Sequence, residues 1–227
     1  MAIQPTMIQR TIQRTTRITT RLMVVSVARA ETLTMDRALC ESTVIVSGLP
    51  RSGTSMMMQM LSAGGLPVLA DGIRAADEDN PRGYFEFEQV KQTKRDPSWL
   101  DQATGKVVKM VHVLLQDLPT DRPYRVILMR RKMEEVLKSQ TAMLARSGKE
   151  GAALPADKLA SIFEKQMEKV VATMHELDCF RLLEVSYDSV LARPLAEAEV
   201  INDFLDGALE TSAMASVVDP QLYRQRS

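Results

Sequence analysis

From residue 43 onward the sequence predicts a three-layer α/β domain, with a mainly parallel sheet of about four to five strands flanked by helices. Three observations predict it. Short β-branched apolar runs recur without strict alternation, as in strands buried on both faces. Amphipathic stretches of helical period separate them, and strands alternating with helices imply a parallel sheet. The first run passes through a glycine- and proline-containing turn straight into a helical segment, the order of a βα unit.

Thr43-Val-Ile-Val-Ser47 is the first expected strand, and Thr54 to Ala63 the helix after it, with Met57, Met58 and Leu61 in its apolar stripe and Gly64-Gly65 as its stop. Residues 66–106 are irregular, punctuated by Gly72, Pro81, Gly83 and Pro97, with a short helix expected near Glu86. A long irregular segment beside a binding loop commonly shapes a substrate site. Further strands are expected at Lys106–Val111, Tyr124–Met129 and Cys179–Val185. Helices are expected at Lys132–Arg146, Asp157–Leu177 and Pro194–Leu205. In the second of these, Leu159, Ile162, Phe163, Met167, Val170, Val171, Met174 and Leu177 keep a 3.6-residue period. Pro194 suits the first turn of the last.

The 227 residues suit one domain, and 45% hydrophobic content is enough for a core. Aromatics are only 4% and methionines number 15, so that core is aliphatic and methionine-rich. The formal charge is zero, which argues against a nucleic-acid partner. It is uneven, however. Residues 1–30 carry five arginines and no acid, leaving the remainder at about −5. Residues 1–40 are therefore set apart from the domain at 41–227 as a basic, Thr/Arg-rich extension, expected to be disordered. An organelle transit segment, a basic arm and an upstream start choice all fit it. Two cysteines, Cys40 and Cys179, form no metal pattern or disulfide framework, which predicts a reduced, cytoplasmic protein. No apolar run approaches the roughly 18 residues of a membrane span, so no integral membrane segment is expected.

The chemistry centres on Gly48-Leu-Pro-Arg-Ser-Gly-Thr-Ser55. A phosphate needs several N–H donors aimed at one point, and a glycine-rich turn running into a helix N-terminus supplies them, with the helix dipole in support. The stretch matches the nucleotide-binding pattern G-x-x-x-x-G-K-[ST] except that Thr54 replaces the lysine. That lysine serves a triphosphate, so the loop is poorly suited to ATP. Arg51 is the nearby cation, and arginine grips an oxyanion with two parallel hydrogen bonds.

Pro50-Arg51-Ser52-Gly53-Thr54-Ser55 resembles the 5′-phosphosulfate loop of the sulfotransferase family, which often reads P-[RK]-S-G-T-[TS] after a first strand. The resemblance implies a P-loop-like fold and 3′-phosphoadenosine-5′-phosphosulfate (PAPS) as donor, 3′-phosphoadenosine-5′-phosphate (PAP) as product, and no metal. By it, Pro50 through Ser55 hold the 5′-phosphosulfate, and Arg51 also stabilises charge on the bridging oxygen. Val126-Ile-Leu-Met-Arg-Arg131, with Ser139 eight residues on, resembles the family's second signature and implies that Arg131 and Ser139 bind the 3′-phosphate. The family's Asp-Pro after this arginine is replaced by Lys132-Met133, which leaves Arg130 as an alternative ligand. Leu183 to Asp188, Pro194 and Ile201 to Leu205 resemble the late strand, turn and helix of the family, with Asp206 before Gly207 as a departure. By that match Tyr187 lies near the adenosine; read alone, it is a packing residue. A Gly-x-x-Gly-x-x-Lys segment is missing, which points to a short bacterial-type member, with the end at Asp219 to Arg226 as an alternative source of basic contacts. The resemblance covers residues 43–207, and only the first loop is specific by itself.

Sulfuryl transfer needs positioning, charge stabilisation and a base for the acceptor's proton. Glu86, His112 and Glu88 are the candidates, in that order. Glu86 and Glu88 lie among Tyr84, Phe85 and Phe87, whose apolar surfaces would raise a carboxylate toward neutrality. His112 follows a strand, one residue later than in the animal cytosolic branch. His175 is read as solvated. Lys109 is a candidate to neutralise the leaving phosphate. The acceptor is a small molecule or glycan carrying a hydroxyl or amine, and self-association is left open. A nucleotide or metabolite kinase is the main alternative, and a non-catalytic nucleotide-binding protein the other.

Overall fold

The computed structural model describes residues 39–73, 83–146, 154–207 and 209–219, all within the unit Leu39–Ser227. The arm up to residue 38, most of the 147–156 loop and the end beyond Asp219 lie outside the described residues. Four strands form one sheet: β1 (Thr43–Gly48), β2 (Val107–Val111), β3 (Tyr124–Arg130) and β4 (Phe180–Ser186). All pair in parallel in the order β2-β1-β3-β4, with Val46 opposite Lys109, Gly48 opposite Met129 and Arg130 opposite Ser186. Each lies within one residue of the stretch its apolar run predicts.

Alternation along β1 divides the core. Val44 and Val46 pack with Met57, Met58 and Leu61 of α1 (Thr54–Ala63). Ile45 turns to the opposite face, with Trp99, Val108, Met110 and Met174. Both faces of a parallel sheet must be covered, because crossover helices lie on each. The first face carries α1, α5 (Tyr187–Ala192), α6 (Pro194–Phe204) and α7 (Thr211–Ser216). The second carries α2 (Leu100–Ala103) and α4 (Ala156–Glu176), with α3 (Met133–Arg146) packed on α4 through Val136 and Met167. These are the three expected layers.

Several elements escaped the sequence patterns. The short helix expected near Glu86 is a single 3₁₀ turn, Glu88–Gln92, and a second such turn spans His112–Asp117. The turn expected at Tyr187-Asp188 is the start of α5, whose first N–H groups are capped by the Ser186 side chain accepting from the Ser189 backbone N–H at 3.4 Å. In α4 the buried stripe runs through Met167, Val170 and Met174, while Ile162 stays 41% exposed. A single exposed aliphatic side chain is ordinary on a protein surface. No helix among the described residues is long and apolar enough to cross a membrane.

One buried charge ties the sheet to the last helices. The Arg125 guanidinium, 5% exposed within β3, donates to the Phe204 carbonyl at 2.7 Å and pairs with the Asp206 carboxylate. A cation there satisfies the end of α6. The bond from Arg125 holds the Asp206 carboxyl below its ordinary value. A depressed acid stabilises the fold above its unfolded pKa of about 3.9, and the contribution disappears as pH falls through the folded value. Asp206→Asn keeps a residue tolerant of the left-handed backbone there (φ 64°) and removes only the charge. It should cost about 1 kcal/mol at pH 7, given Asp206's partial exposure. In denaturant melts the gap between the two proteins should narrow as pH falls below about 4. A gap that does not change with pH would contradict the linkage.

Candidate functional site

Parallel strands place all their C-terminal ends at one edge. From β1 the chain crosses to β2 on one side and later to β3 on the other, so the ends of β1 and β3 flank a topological switch point, where α/β sheets bind ligands. The loop from Gly48 to Gly53 leaves β1 at that point and enters α1. Three of its residues have left-handed backbones: Gly48 (φ 151°), Arg51 (φ 72°) and Gly53 (φ 100°). Arginine pays about 1–2 kcal/mol for that conformation. Gly48 admits no side chain, since a Cβ there would stand 2.5 Å from Ser52 Oγ and 2.9 Å from the Met129 carbonyl.

The loop suits an anion. Helix α1 has no acidic residue and no side-chain cap in its first turn, which leaves its N–H groups aimed outward. Ser52 is 1% exposed, and its Oγ has no hydrogen-bond partner among the described residues. Beside it lies a cavity of about 220 Å³, lined by Ser52, Arg130 and Arg131 and by Glu164 and Glu168 of α4. A buried hydroxyl without a partner at the mouth of a helix is a group that a phosphate or sulfate oxygen would satisfy.

Residues expected to share a ligand meet here. Arg51 Nε donates to Ser139 Oγ at 2.9 Å, joining the loop to α3 across 88 positions. Arg131 Nη1 donates to the Arg51 carbonyl at 3.0 Å, and Arg131 Nε to Glu135 Oε2 at 3.0 Å. The Arg131 guanidinium lies 4.5 Å from the centre of the Tyr187 ring. Tyr187 is buried beneath the loop at the start of α5, and a Cβ on Gly53 would come within 3.0 Å of its Cε2. Burial raises the Tyr187 phenol, with Arg131 opposing. Gln140 Nε2 adds a bond to the Pro50 carbonyl at 3.2 Å. Arg130 takes another course, pairing with Glu184 at 3.0 Å while 43% exposed.

A second cluster lies beyond α1's first turn. Lys109 Nζ stands 3.5 Å from Ser55 Oγ and 3.7 Å from Glu86 Oε1, and donates to the Tyr84 carbonyl. The neighbour of Glu86 is thus a cation. Glu88 instead pairs with Lys91 at 2.5 Å, 45% exposed. His112 is 2% exposed, with Nε2 3.0 Å from Gln166 Oε1 of α4.

Sequence reasoning missed Glu135 and Gln140. The Arg131–Glu135 spacing of four across the start of α3 was a usable signal, but acids opening a helix are also what the helix dipole favours. Gln140 has no signal, since its partner lies 90 positions away.

No family model and no curated protein matches the sequence. Among solved structures, the chain is similar to the sulfotransferase domain from the curacin biosynthetic pathway, at 14% identity and a TM-score of 0.43, covering 82% of this chain and 78% of that one. It is also similar to an unliganded sugar kinase from Janibacter sp. HTCC2649, at 15% identity and a TM-score of 0.37, covering 78% of this chain and 98% of that one. Overlaps of this size assign neither a family nor an activity.

Proposed function

We propose that this chain is a PAPS-dependent sulfotransferase, which moves a sulfuryl group from PAPS to a hydroxyl or amine of a small-molecule or glycan acceptor and releases PAP. One observation carries the reading. The two segments that resemble the family's two phosphate signatures meet, with Arg51 bonded to Ser139 and Arg131 bonded to Arg51. A donor bearing phosphates at both ends of one ribose needs two such grips side by side. Thr54 in place of a phosphate-facing lysine supports a donor other than a triphosphate.

In this reading Pro50 to Ser55 and the start of α1 cradle the 5′-phosphosulfate, while Arg131 and Ser139 reach the 3′-phosphate. Tyr187 buttresses the loop at the nucleoside side. Arg51 and Lys109 stabilise the negative charge that builds on the leaving phosphate oxygen as its bond to sulfur breaks. Glu86 takes the acceptor's proton as the new bond to sulfur forms. Its 3.7 Å separation from Lys109, itself beside Ser55, favours Glu86 over His112, which is bonded to Gln166, and over Glu88, which is paired with Lys91.

Transfer of radiolabelled sulfate from PAPS across hydroxyl and amine acceptors tests the proposal. Glu86→Gln should lower kcat about 10²-fold or more with PAP affinity little changed, and His112→Gln less than about tenfold. Unaltered turnover in Glu86→Gln would remove Glu86 as base. Phosphate transfer from Mg²⁺-ATP, with none from PAPS, would replace the reading by the kinase alternative.

A further inference from the structure

Glu135 is the most deeply buried acid among the described residues, 0% exposed, and the chemistry above gives it no task. Its carboxylate holds Arg131 through Nε at 3.0 Å, and Arg131 is itself only 7% exposed at the side chain. Arginine's fork is planar and rigid, so a carboxylate that fixes Nε also fixes where both terminal nitrogens point. One of them donates to the Arg51 carbonyl at 3.0 Å. The face of the same guanidinium lies 4.5 Å from the Tyr187 ring, on which Gly53 rests. Arg131 therefore supports the loop twice, directly at Arg51 and through Tyr187 at Gly53. Arg51 and Gly53 are two of the loop's three left-handed residues. A non-glycine residue keeps that conformation only where its surroundings over-determine it.

We infer that Glu135 is a positioning residue. It locks Arg131, and Arg131 holds Arg51 left-handed, with the guanidinium of Arg51 turned onto Ser139. The inference deepens the proposed function and rests on it for the identity of the ligand, but the link itself is a property of the protein alone. Glu135 touches neither donor nor acceptor and acts through Arg131.

The test is a double-mutant cycle of Glu135→Gln with Arg51→Ala, read by PAP titration and by ¹⁵N resonances of the Arg51 side chain and the Ser52 and Gly53 amides. Glu135→Gln should shift those resonances and weaken PAP about tenfold or more when Arg51 is present. It should add a smaller loss when Arg51 is already alanine, because part of the effect passes through the Arg51 side chain and the rest through Arg131 itself. Equal losses in both backgrounds, or loop resonances that stay in place, would overturn the inference. If Glu135→Gln does not fold, Arg131→Lys reads the same link, since a lysine cannot bridge Glu135 and the Arg51 carbonyl in one plane. If the unaltered protein binds no PAP, the functional reading fails, and the resonances alone decide the role of Glu135.

Discussion

Arg51→Ala is expected to weaken PAP binding by about two to three orders of magnitude. A charge-assisted hydrogen bond contributes roughly 1.5–3 kcal/mol, and a guanidinium on a phosphate commonly makes two; the lower end of that sum, about 3–4 kcal/mol, is two to three decades at 1.4 kcal/mol each. Binding and stability should separate at this position. Alanine keeps the left-handed backbone of Arg51 and its strain, whereas glycine adopts φ 72° freely. Arg51→Gly should therefore be more stable than Arg51→Ala by about 1 kcal/mol while binding PAP just as poorly. Calorimetric titration measures the first effect and denaturant melts the second. An alanine variant that binds PAP within threefold of the unaltered protein would remove Arg51 from the phosphate site.

Gly53→Ala is the second large effect, and it acts on the fold as well as the site. The added Cβ would meet the Tyr187 ring within 3.0 Å at a backbone angle of φ 100°, so strain and overpacking combine. Together they should cost about 2–4 kcal/mol. Gly65 provides an internal control. Its φ is 98°, but nothing lies within 4 Å of the position a Cβ would take, so Gly65→Ala should cost only about 1 kcal/mol. The difference between the two variants measures the contact with Tyr187. Tyr187→Ala should remove most of that difference when combined with Gly53→Ala. Equal costs at Gly53 and Gly65 in chemical melts would mean that the ring does not support the loop.

The sheet was legible because a strand buried on both faces has few compositions open to it, and Thr43–Gly48 and Tyr124–Arg130 have that composition. Helix α1 was legible at both ends, since a glycine stands on either side of it. Helix α5 was not, because its start depends on a hydroxyl cap from Ser186, and Tyr187-Asp188 also suits a turn. At the site, the loop could be read from its glycine spacing before a helix, whereas Arg131 and Ser139 were singled out by the family resemblance, with Arg130 as the alternative. The contacts that organise them could not be read in either way. Arg51 reaches Ser139 across 88 positions, and Lys109 joins Ser55, 54 positions before it, to Tyr84, 25 before it. Such contacts depend on strand order, which places the ends of β1, β2 and β3 side by side. The order of the candidate bases rested on the family resemblance and on the apolar residues around Glu86 in the sequence. Geometry supplies a reason for Glu86, since Lys109 lies 3.7 Å from it and 3.5 Å from Ser55.

The central claim is that the site recognises phosphates at both ends of one ribose. Titrating the protein with PAP, with AMP and with Mg²⁺-ATP, each followed by thermal unfolding, tests it most directly. PAP without metal should stabilise the fold by about 2.7 kcal/mol at one hundred times its Kd. AMP, which lacks the 3′-phosphate, should bind at least about 100-fold more weakly, and Ser139→Ala should narrow that gap. Stabilisation by Mg²⁺-ATP with none by PAP, or equal affinity for PAP and AMP, would contradict the account.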